Sequence, residues 1–193
     1  MRTAALVFAL GVVVALCGDA CHVASGTTVY DWEDVPTIWE SAVWFPVLLG
    51  GAVLTVAFAG ARAGLPWRPR TPADVVLGAA AVLALYALTA VLHGQPETVS
   101  VVLCGAIAVA IWAWWDPSPG ALLLATVAAV TGPLAEALIV ELGAAHYTSG
   151  SDSLLGVAAW LPCLYFAAGA VASGIWRPLA GLVSGGASSS FRR

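Results

Sequence analysis

Six long apolar runs, separated by short polar segments, constrain this chain more than any other feature. We place them at about residues 3–23, 36–61, 72–92, 97–115, 119–145 and 160–176. About 20 apolar residues are enough to cross the roughly 30 Å hydrocarbon core of a bilayer as a helix. The apolar residues form continuous blocks rather than helical or strand stripes, which favours membrane spans. The sequence therefore predicts an all-α, polytopic membrane protein with six transmembrane helices.

Composition agrees with this interpretation and limits the number of domains. Hydrophobic residues make up 61% of the 193 residues and charged residues 9%, against about 25% charged residues in a typical soluble domain. Because the six spans use almost the whole chain, we expect one transmembrane domain over residues 1–180. Residues 181–193 then form a short, flexible cytoplasmic tail. No basic patch is present, so nucleic acid is not an expected partner.

The charge distribution predicts the orientation in the membrane. If the N-terminus is cytoplasmic, all seven arginines fall on the cytoplasmic side of a six-span chain: Arg2, Arg62, Arg68, Arg70, Arg177, Arg192 and Arg193. Most acids outside the spans fall on the other side, namely Asp31, Glu33, Asp34 and Asp152. This is the positive-inside pattern. We therefore predict that both the N- and C-termini are cytoplasmic.

The first apolar run has a second interpretation. One arginine followed by an apolar stretch and small residues also describes a secretory signal peptide. We favour a retained helix, because the run is long enough to span and five more spans follow, with Asp19 and His22 at the membrane interface. The four cysteines (Cys17, Cys21, Cys104 and Cys163) lie in or beside apolar runs, where thiols usually remain free.

The amino-acid usage points to a bacterial source. The sequence contains no Lys and no Asn and is dominated by Ala, Val and Gly, which we attribute to the coding bias of a GC-rich genome. Without Asn there is no N-glycosylation site. An integral protein of the bacterial plasma (inner) membrane is the expected location.

Glu136 is the most informative polar residue, because an ionisable group inside a span is costly and suggests a functional site. Its carboxyl either meets a lipid hydroxyl or a cation in a cavity, or serves structure by capping carbonyls freed by Pro133 or bonding a neighbouring helix. Glu141 lies roughly 140° around the same helix. Paired acid/base chemistry is therefore not expected.

Other kinds of site find little support in the pattern. His22, His93, His146 and Glu141 have no metal-ligand spacing within one helix, so we predict no metal and no cofactor. The chain has no nucleophile elbow, and Ser100 has no acid or base partner at helical spacing. We predict no enzymatic activity; the alternative is a small membrane enzyme or transporter that uses Glu136.

Several motifs resemble the insulin-induced gene (Insig) family. They are HYTS at 146–149 followed by WLPCLYFAAG at 160–169, together with the weaker matches SAVWFP at 41–46 and AIWAWWDPS at 110–118. The resemblance covers almost the whole chain. It implies a non-catalytic, six-helix membrane protein that binds sterols, in the manner of a sensor, and docks onto other membrane proteins.

The resemblance also suggests where a lipid binds. The family's sterol-contacting Gln and Thr of the fourth helix fall at Val99 and Leu103, which are apolar in this chain. Because bacteria mostly lack sterols, a diacylglycerol-like amphiphile with a small neutral head fits better than a sterol. We predict lipid contacts from Tyr86, Ser100, Leu103, Cys104 and Glu136.

Partner docking is the other property that the resemblance implies. Asp116 matches the family's docking aspartate at the cytoplasmic end of the fourth helix, although Pro117 to Gly120 replace the basic segment after it. Locally, Asp116 can also serve as the N-cap of the fifth helix. The small residues of the spans let helices pack closely, either within the chain, in a homo-oligomer or against a membrane-protein partner.

Overall fold

The structure, a computed structural model, describes residues 1–32, 34–63 and 67–189. It contains the helices α1 (Arg2–Ala24), α2 (Trp44–Arg62), α3 (Pro72–Val91), α4 (Glu97–Trp115), α5 (Pro119–Glu141), α6 (Leu161–Gly174) and α7 (Trp176–Ser189). Within this part of the chain, six helical stretches are long and apolar enough to cross a membrane, the sixth running over Leu161–Ser184. The predicted all-α, six-span architecture is confirmed.

Two span boundaries differ from the prediction, because short strands replace the expected helix ends. The second span begins at Trp44 rather than at residue 36, since β2 (Thr37–Ile38) and β3 (Ser41–Ala42) form a hairpin before it. The fifth span ends at Glu141 rather than at residue 145, and Gly143 follows with a φ of 68° that ends the helix. Such a left-handed conformation is one that glycine adopts at little cost.

A two-stranded ribbon lies at one end of the helix bundle. Strand β1 (Thr28–Tyr30) follows α1 and pairs antiparallel with β4 (Ala145–Tyr147), which follows α5. His146 Nδ1 lies 2.8 Å from Asp31 Oδ1 beside the ribbon. We call this side of the bundle the ribbon end. Glu33 of the same loop lies outside the described residues.

The opposite side, which we call the arginine end, carries Arg62 at the end of α2, Arg68 and Arg70 in the α2–α3 connection, and Arg177 at the start of α7. The Arg70 guanidinium stacks 4.7 Å from the Trp115 ring centroid and donates to the carbonyls of Trp114 and Trp115. A cation at a helix C-terminus is favourable for the helix dipole. Arg70 therefore holds the α2–α3 connection onto the end of α4. Arg192 and Arg193 lie outside the described residues.

Capping side chains fix the starts of two helices at the arginine end. Thr71 caps α3 by accepting from the Asp74 N–H, and the Asp74 carboxylate accepts from the Thr71 N–H in return. Ser118 caps α5 by accepting from the Ala121 N–H at 3.2 Å. The N-cap role predicted for Asp116 was wrong, because Asp116 lies two residues too early and ends α4 instead.

Helix α6 is the centre of the bundle and packs against α2, α3, α4 and α5. A Cβ atom on Gly169 would lie 2.6 Å from Ala128 Cβ, so α5 and α6 approach each other as closely as small residues allow. The chain breaks at Ile175 and continues as α7, where Leu179 is buried. Helix α7 crosses the domain boundary predicted at residue 180 and continues to Ser189, where we expected a flexible tail. Residues 190–193 lie outside the described part, so the boundary stays a prediction.

Candidate functional site

An open cavity lies between α1, α2, α3, α5 and α6, within the membrane-spanning part of the bundle. Its wall runs from Val75 and Ile175 towards the arginine end to Tyr86 and Tyr165 towards the ribbon end. Apart from these two tyrosines, the lining residues are Ala, Gly, Val, Leu and Ile. We call this space the apolar cavity. Its chemistry suits hydrocarbon rather than a polar metabolite.

A second, small polar space lies under the ribbon. Its lining includes the carboxylic acids Asp19 and Glu136, the hydroxyl-bearing side chains Thr28, Tyr30, Tyr86 and Tyr147, and the His22 ring. We call it the polar chamber. Tyr86 lines both the chamber and the apolar cavity. The Tyr86 ring packs onto Gly18 of α1, where a Cβ atom would lie 2.5 Å from Tyr86 Cγ.

Glu136 lies in the wall of the polar chamber and is 6% exposed. Tyr165 of α6 donates its hydroxyl hydrogen to Glu136 Oε1 at 2.6 Å, and Tyr147 of β4 donates to Oε2. Gly132, one turn before Glu136, gives the Tyr165 ring its space, because a Cβ atom there would lie 2.3 Å from Tyr165 Cδ1. The carboxyl therefore both faces a cavity and binds a neighbouring helix, and it does not cap carbonyls near Pro133.

Asp19 and His22 lie near the ribbon end of α1 and point into the bundle; their position at the membrane interface stays a prediction. Both are 3% exposed. Asp19 accepts from the Tyr30 hydroxyl at 2.7 Å, and His22 Nε2 lies 2.8 Å from Thr89 Oγ1. Because these partners replace water, the two polar groups can stay inside the bundle.

The ribbon supplies two of the tyrosines that face the carboxyls. Tyr30 ends β1 and Tyr147 ends β4. Burial raises the pKa of Tyr30, and the neighbouring Asp19 carboxylate raises it further. Burial likewise raises the pKa of Tyr147, with Glu136 as the next cause. Both phenols therefore stay protonated at neutral pH and act as donors towards the acids.

The structure brings together two of the five predicted lipid contacts. Tyr86 and Glu136 both line the polar chamber. Ser100 and Cys104 are buried in α4, and Leu103 is 42% exposed on its outer face. These three residues line neither space, so their lipid contacts stay a prediction. Sequence reasoning did not select Tyr30, Tyr147 and Tyr165, although the last two stand inside the HYTS and WLPCLYFAAG motifs.

Asp116, the predicted docking residue, is 4% exposed at the arginine end. Its carboxylate accepts from the backbone N–H of Arg68 at 3.3 Å and from that of Ser118 at 3.0 Å. Asp116 therefore joins the α2–α3 connection to the α4–α5 connection. A docking role of this residue stays a prediction.

Metal and disulfide chemistry can be examined in the same way. In the described ranges, no group of three or more His, Cys, Asp or Glu side chains could hold a metal ion. Cys17, Cys21, Cys104 and Cys163 are free thiols. The site is thus built from carboxyls, phenols, hydroxyls and an imidazole above an apolar cavity.

Fold and site together define an integral membrane protein of six spans with an apolar cavity between its helices. No family model matches the sequence. The chain is 43% identical over 174 residues to an INSIG protein homolog of Mycolicibacterium vanbaalenii, covering 88% of this chain and 83% of the relative. It belongs to the Insig family, as the motifs predicted.

More distant relatives and solved structures support the same family assignment. The chain is 28% identical over 180 residues to the Insulin-induced gene 1 protein of Bos taurus, covering 91% of this chain and 64% of that protein. Its fold matches the crystal structure of the mycobacterial Insig homolog MvINS with a TM-score of 0.82 at 38% identity, over 90% of this chain and 91% of that one. It also matches a cross-linked MvINS trimer with a TM-score of 0.83 at 36% identity, over 95% of each chain.

Proposed function

We propose that this protein is a non-catalytic, sensor-like lipid-binding protein of the bacterial plasma (inner) membrane. It holds a sterol-like or diacylglycerol-like amphiphile inside the bundle. The apolar cavity carries this proposal, because a space inside the bundle walled almost entirely by aliphatic residues suits acyl chains or a ring system better than a polar ligand. The mycobacterial relative and the absence of Lys and Asn support the bacterial location.

The site supports binding better than turnover. Both oxygens of Glu136 already accept from tyrosine hydroxyls, which suits a group that holds the structure together more than one that exchanges protons with a substrate. The names of the relatives describe no reaction. The enzyme or transporter that uses Glu136 is the alternative that the first experiment tests.

That experiment is mass spectrometry of lipids retained by protein purified in mild detergent. We expect one lipid class to be retained at about one molecule per chain, above the bulk membrane lipids. Bulk phospholipid in background proportions would contradict the proposal. Glu136→Gln should change only the amount of retained lipid; loss of a turnover or flux activity on that substitution would show that the alternative is right.

Self-association is the second part of the proposal. A cross-linked trimer is described for the structurally similar MvINS, and the exposed helix faces of this chain carry large apolar residues such as Leu77 and Val102. We propose a homo-oligomer, with the Asp116 region at the arginine end available to organise docking of a membrane-protein partner. Native mass spectra of the same preparation give the number of chains per particle.

A further inference from the structure

The outer face of α2 carries a mostly apolar stripe that ends in a cation at the arginine end. Its exposed residues are Leu48, Thr55, Phe58 and Arg62, and separations of three, four and seven positions place residues on one side of a helix. The Thr55 hydroxyl donates to the Gly51 carbonyl of the same helix. None of the four lines the apolar cavity. The stripe therefore faces the surrounding lipid.

Two guanidinium groups stack on aromatic rings where this stripe meets α7. Arg62 Cζ lies 4.9 Å from the centroid of the Phe58 ring. Arg177 Cζ lies 4.4 Å from the centroid of the Trp67 ring in the α2–α3 connection. The Phe58 ring in turn contacts Trp176 of α7, with centroids 5.6 Å apart. Both cations are thus held at one corner of the bundle, which we call the α2–α7 corner.

No acid of the described ranges neutralises this corner. The ion pairs there are those of Arg70 with Asp74 and of His146 with Asp31, so Arg62 and Arg177 have no carboxylate within 4.0 Å. The first turn of α7 contains no acidic residue either.

The two acids of the arginine end are engaged elsewhere. Asp74 accepts from Thr71 in the cap of α3, and Asp116 accepts from the backbone N–H groups of Arg68 and Ser118. The α2–α7 corner therefore presents positive charge beside an apolar surface, with no counter-charge from the described chain.

An anionic phospholipid complements both parts of this surface. A guanidinium binds a phosphate through two parallel N–H groups, and stacking on a ring fixes the plane in which those groups point. Basic residues at the membrane surface attract anionic head groups. A free phosphate would use only the two cations and leave the apolar stripe uncovered, so the lipid is the better match.

We infer that the α2–α7 corner is a surface site for a phospholipid with an anionic head group. The head group lies against Arg62 and Arg177, and an acyl chain follows the stripe past Phe58 towards Leu48. The site goes beyond the proposed function, because it lies on the outer face of α2 and selects a negatively charged ligand.

The experiment titrates delipidated protein in detergent with two lipids that share their chains, dioleoyl phosphatidylglycerol and dioleoyl phosphatidylcholine. Native mass spectrometry gives the amount of each lipid bound per chain. We expect the unsubstituted protein to bind phosphatidylglycerol at least about fivefold more tightly. Replacing both arginines, Arg62→Gln with Arg177→Gln, should reduce this preference to less than about twofold. Excess inorganic phosphate should not displace the lipid; displacement would mean a free-phosphate site and overturn the inference.

Arg2→Gln is the matched control for Arg62→Gln. Arg2 is exposed at the start of α1, at the same end of the bundle, so its replacement removes the same charge without touching the corner. It should keep the full preference, whereas Arg62→Gln alone should lower it. An equal loss in the two variants would show diffuse attraction to positive charge and overturn the site, as would equal binding of the two lipids by the unsubstituted protein. Neither result affects the proposed function, which the lipid retained during purification tests separately.

Discussion

The two tyrosines bonded to Glu136 explain how a carboxyl is tolerated inside the bundle. Burying such a group without hydrogen bonds is expensive, and here a donor from α6 and a donor from β4 meet its two oxygens. The partners lie 29 and 11 residues away in the sequence. Glu136 therefore links elements that the connecting loops alone would not hold in place.

A double-mutant cycle measures this link. Tyr165→Phe should lower the free energy of unfolding by about 1–3 kcal/mol, because it leaves Glu136 Oε1 without its donor. In a Glu136→Leu background the same substitution should cost much less, since no carboxyl is left to satisfy. Denaturant unfolding in detergent gives both values. Equal costs in the two backgrounds would show that the hydrogen bond contributes nothing to stability.

Single residues were only partly predictable from the sequence. Glu136 was identifiable because an acid inside an apolar run is unusual in itself. The burial of Asp19 and His22 was not predictable, because both stand near the end of their run and the sequence does not reveal that Tyr30 and Thr89 pair with them. Thr28 gave no signal in the sequence, since only the packed structure shows that its hydroxyl is buried and finds no partner among the described residues.

At the scale of elements, the ribbon is too short to be stable alone. Each strand has three residues, and isolated two-stranded ribbons are marginal in water. Tyr30 and Tyr147 anchor it to the buried acids, and His146 lies against Asp31 beside it. The ribbon and the polar chamber therefore stabilise each other.

Val29→Pro tests this dependence. Val29 pairs with His146 in the middle of the ribbon and its side chain is 38% exposed. Proline removes the backbone N–H at little change in buried volume, so we expect the melting temperature in detergent to fall by roughly 5–10 °C.

Val29→Thr serves as the control, because it keeps the N–H and suits a strand. It should melt within about 2 °C of the unsubstituted chain. A proline variant that melts with the control would mean that the bundle holds the chamber together without the ribbon.

Short strands and helix ends were the elements that the sequence predicted least well. Residues 36–43 form the β2–β3 hairpin, but their apolar and aromatic residues are equally common at the start of a membrane-spanning helix. The sequence therefore does not mark where the hairpin ends and the helix begins. The central parts of all six spans were predicted correctly, since length and hydropathy alone decide them.

At the scale of the whole molecule, the arginine distribution predicts the orientation in the membrane, which cysteine labelling can test. Gln95, near the ribbon end of α4, and Ala63, at the arginine end of α2, are both exposed. In a background where the four native cysteines are Ala, Gln95→Cys should react with a membrane-impermeant maleimide in intact cells. Ala63→Cys should react only after the membrane is opened, because the positive-inside rule places it in the cytoplasm. Labelling of Ala63→Cys in intact cells, with Gln95→Cys labelled only after the membrane is opened, would show that the orientation is the opposite one.

The family was predictable at this scale because its motifs are spread along the chain. The cavity was not predictable, because its walls come from α1, α2, α3, α5 and α6, and Ala, Val and Gly residues occur equally in packed helix interfaces and in cavity walls. The angles at which the helices cross decide whether such residues form a packed interface or a cavity wall, and a single sequence does not specify those angles.

The pairing of β1 with β4 also sets an order of events during synthesis. The chain is synthesised from its N-terminus. Thr28 of β1 therefore cannot form its strand pair until Tyr147 of β4, 119 positions later, has been made. Tyr165 emerges later still, after five helices have left the ribosome. The donor of Asp19 thus follows early, whereas Glu136 gains its second donor only when α6 has been made. Completion of the hydrogen bonds around Glu136 is consequently a late event, which follows the arrival of α6 in the membrane.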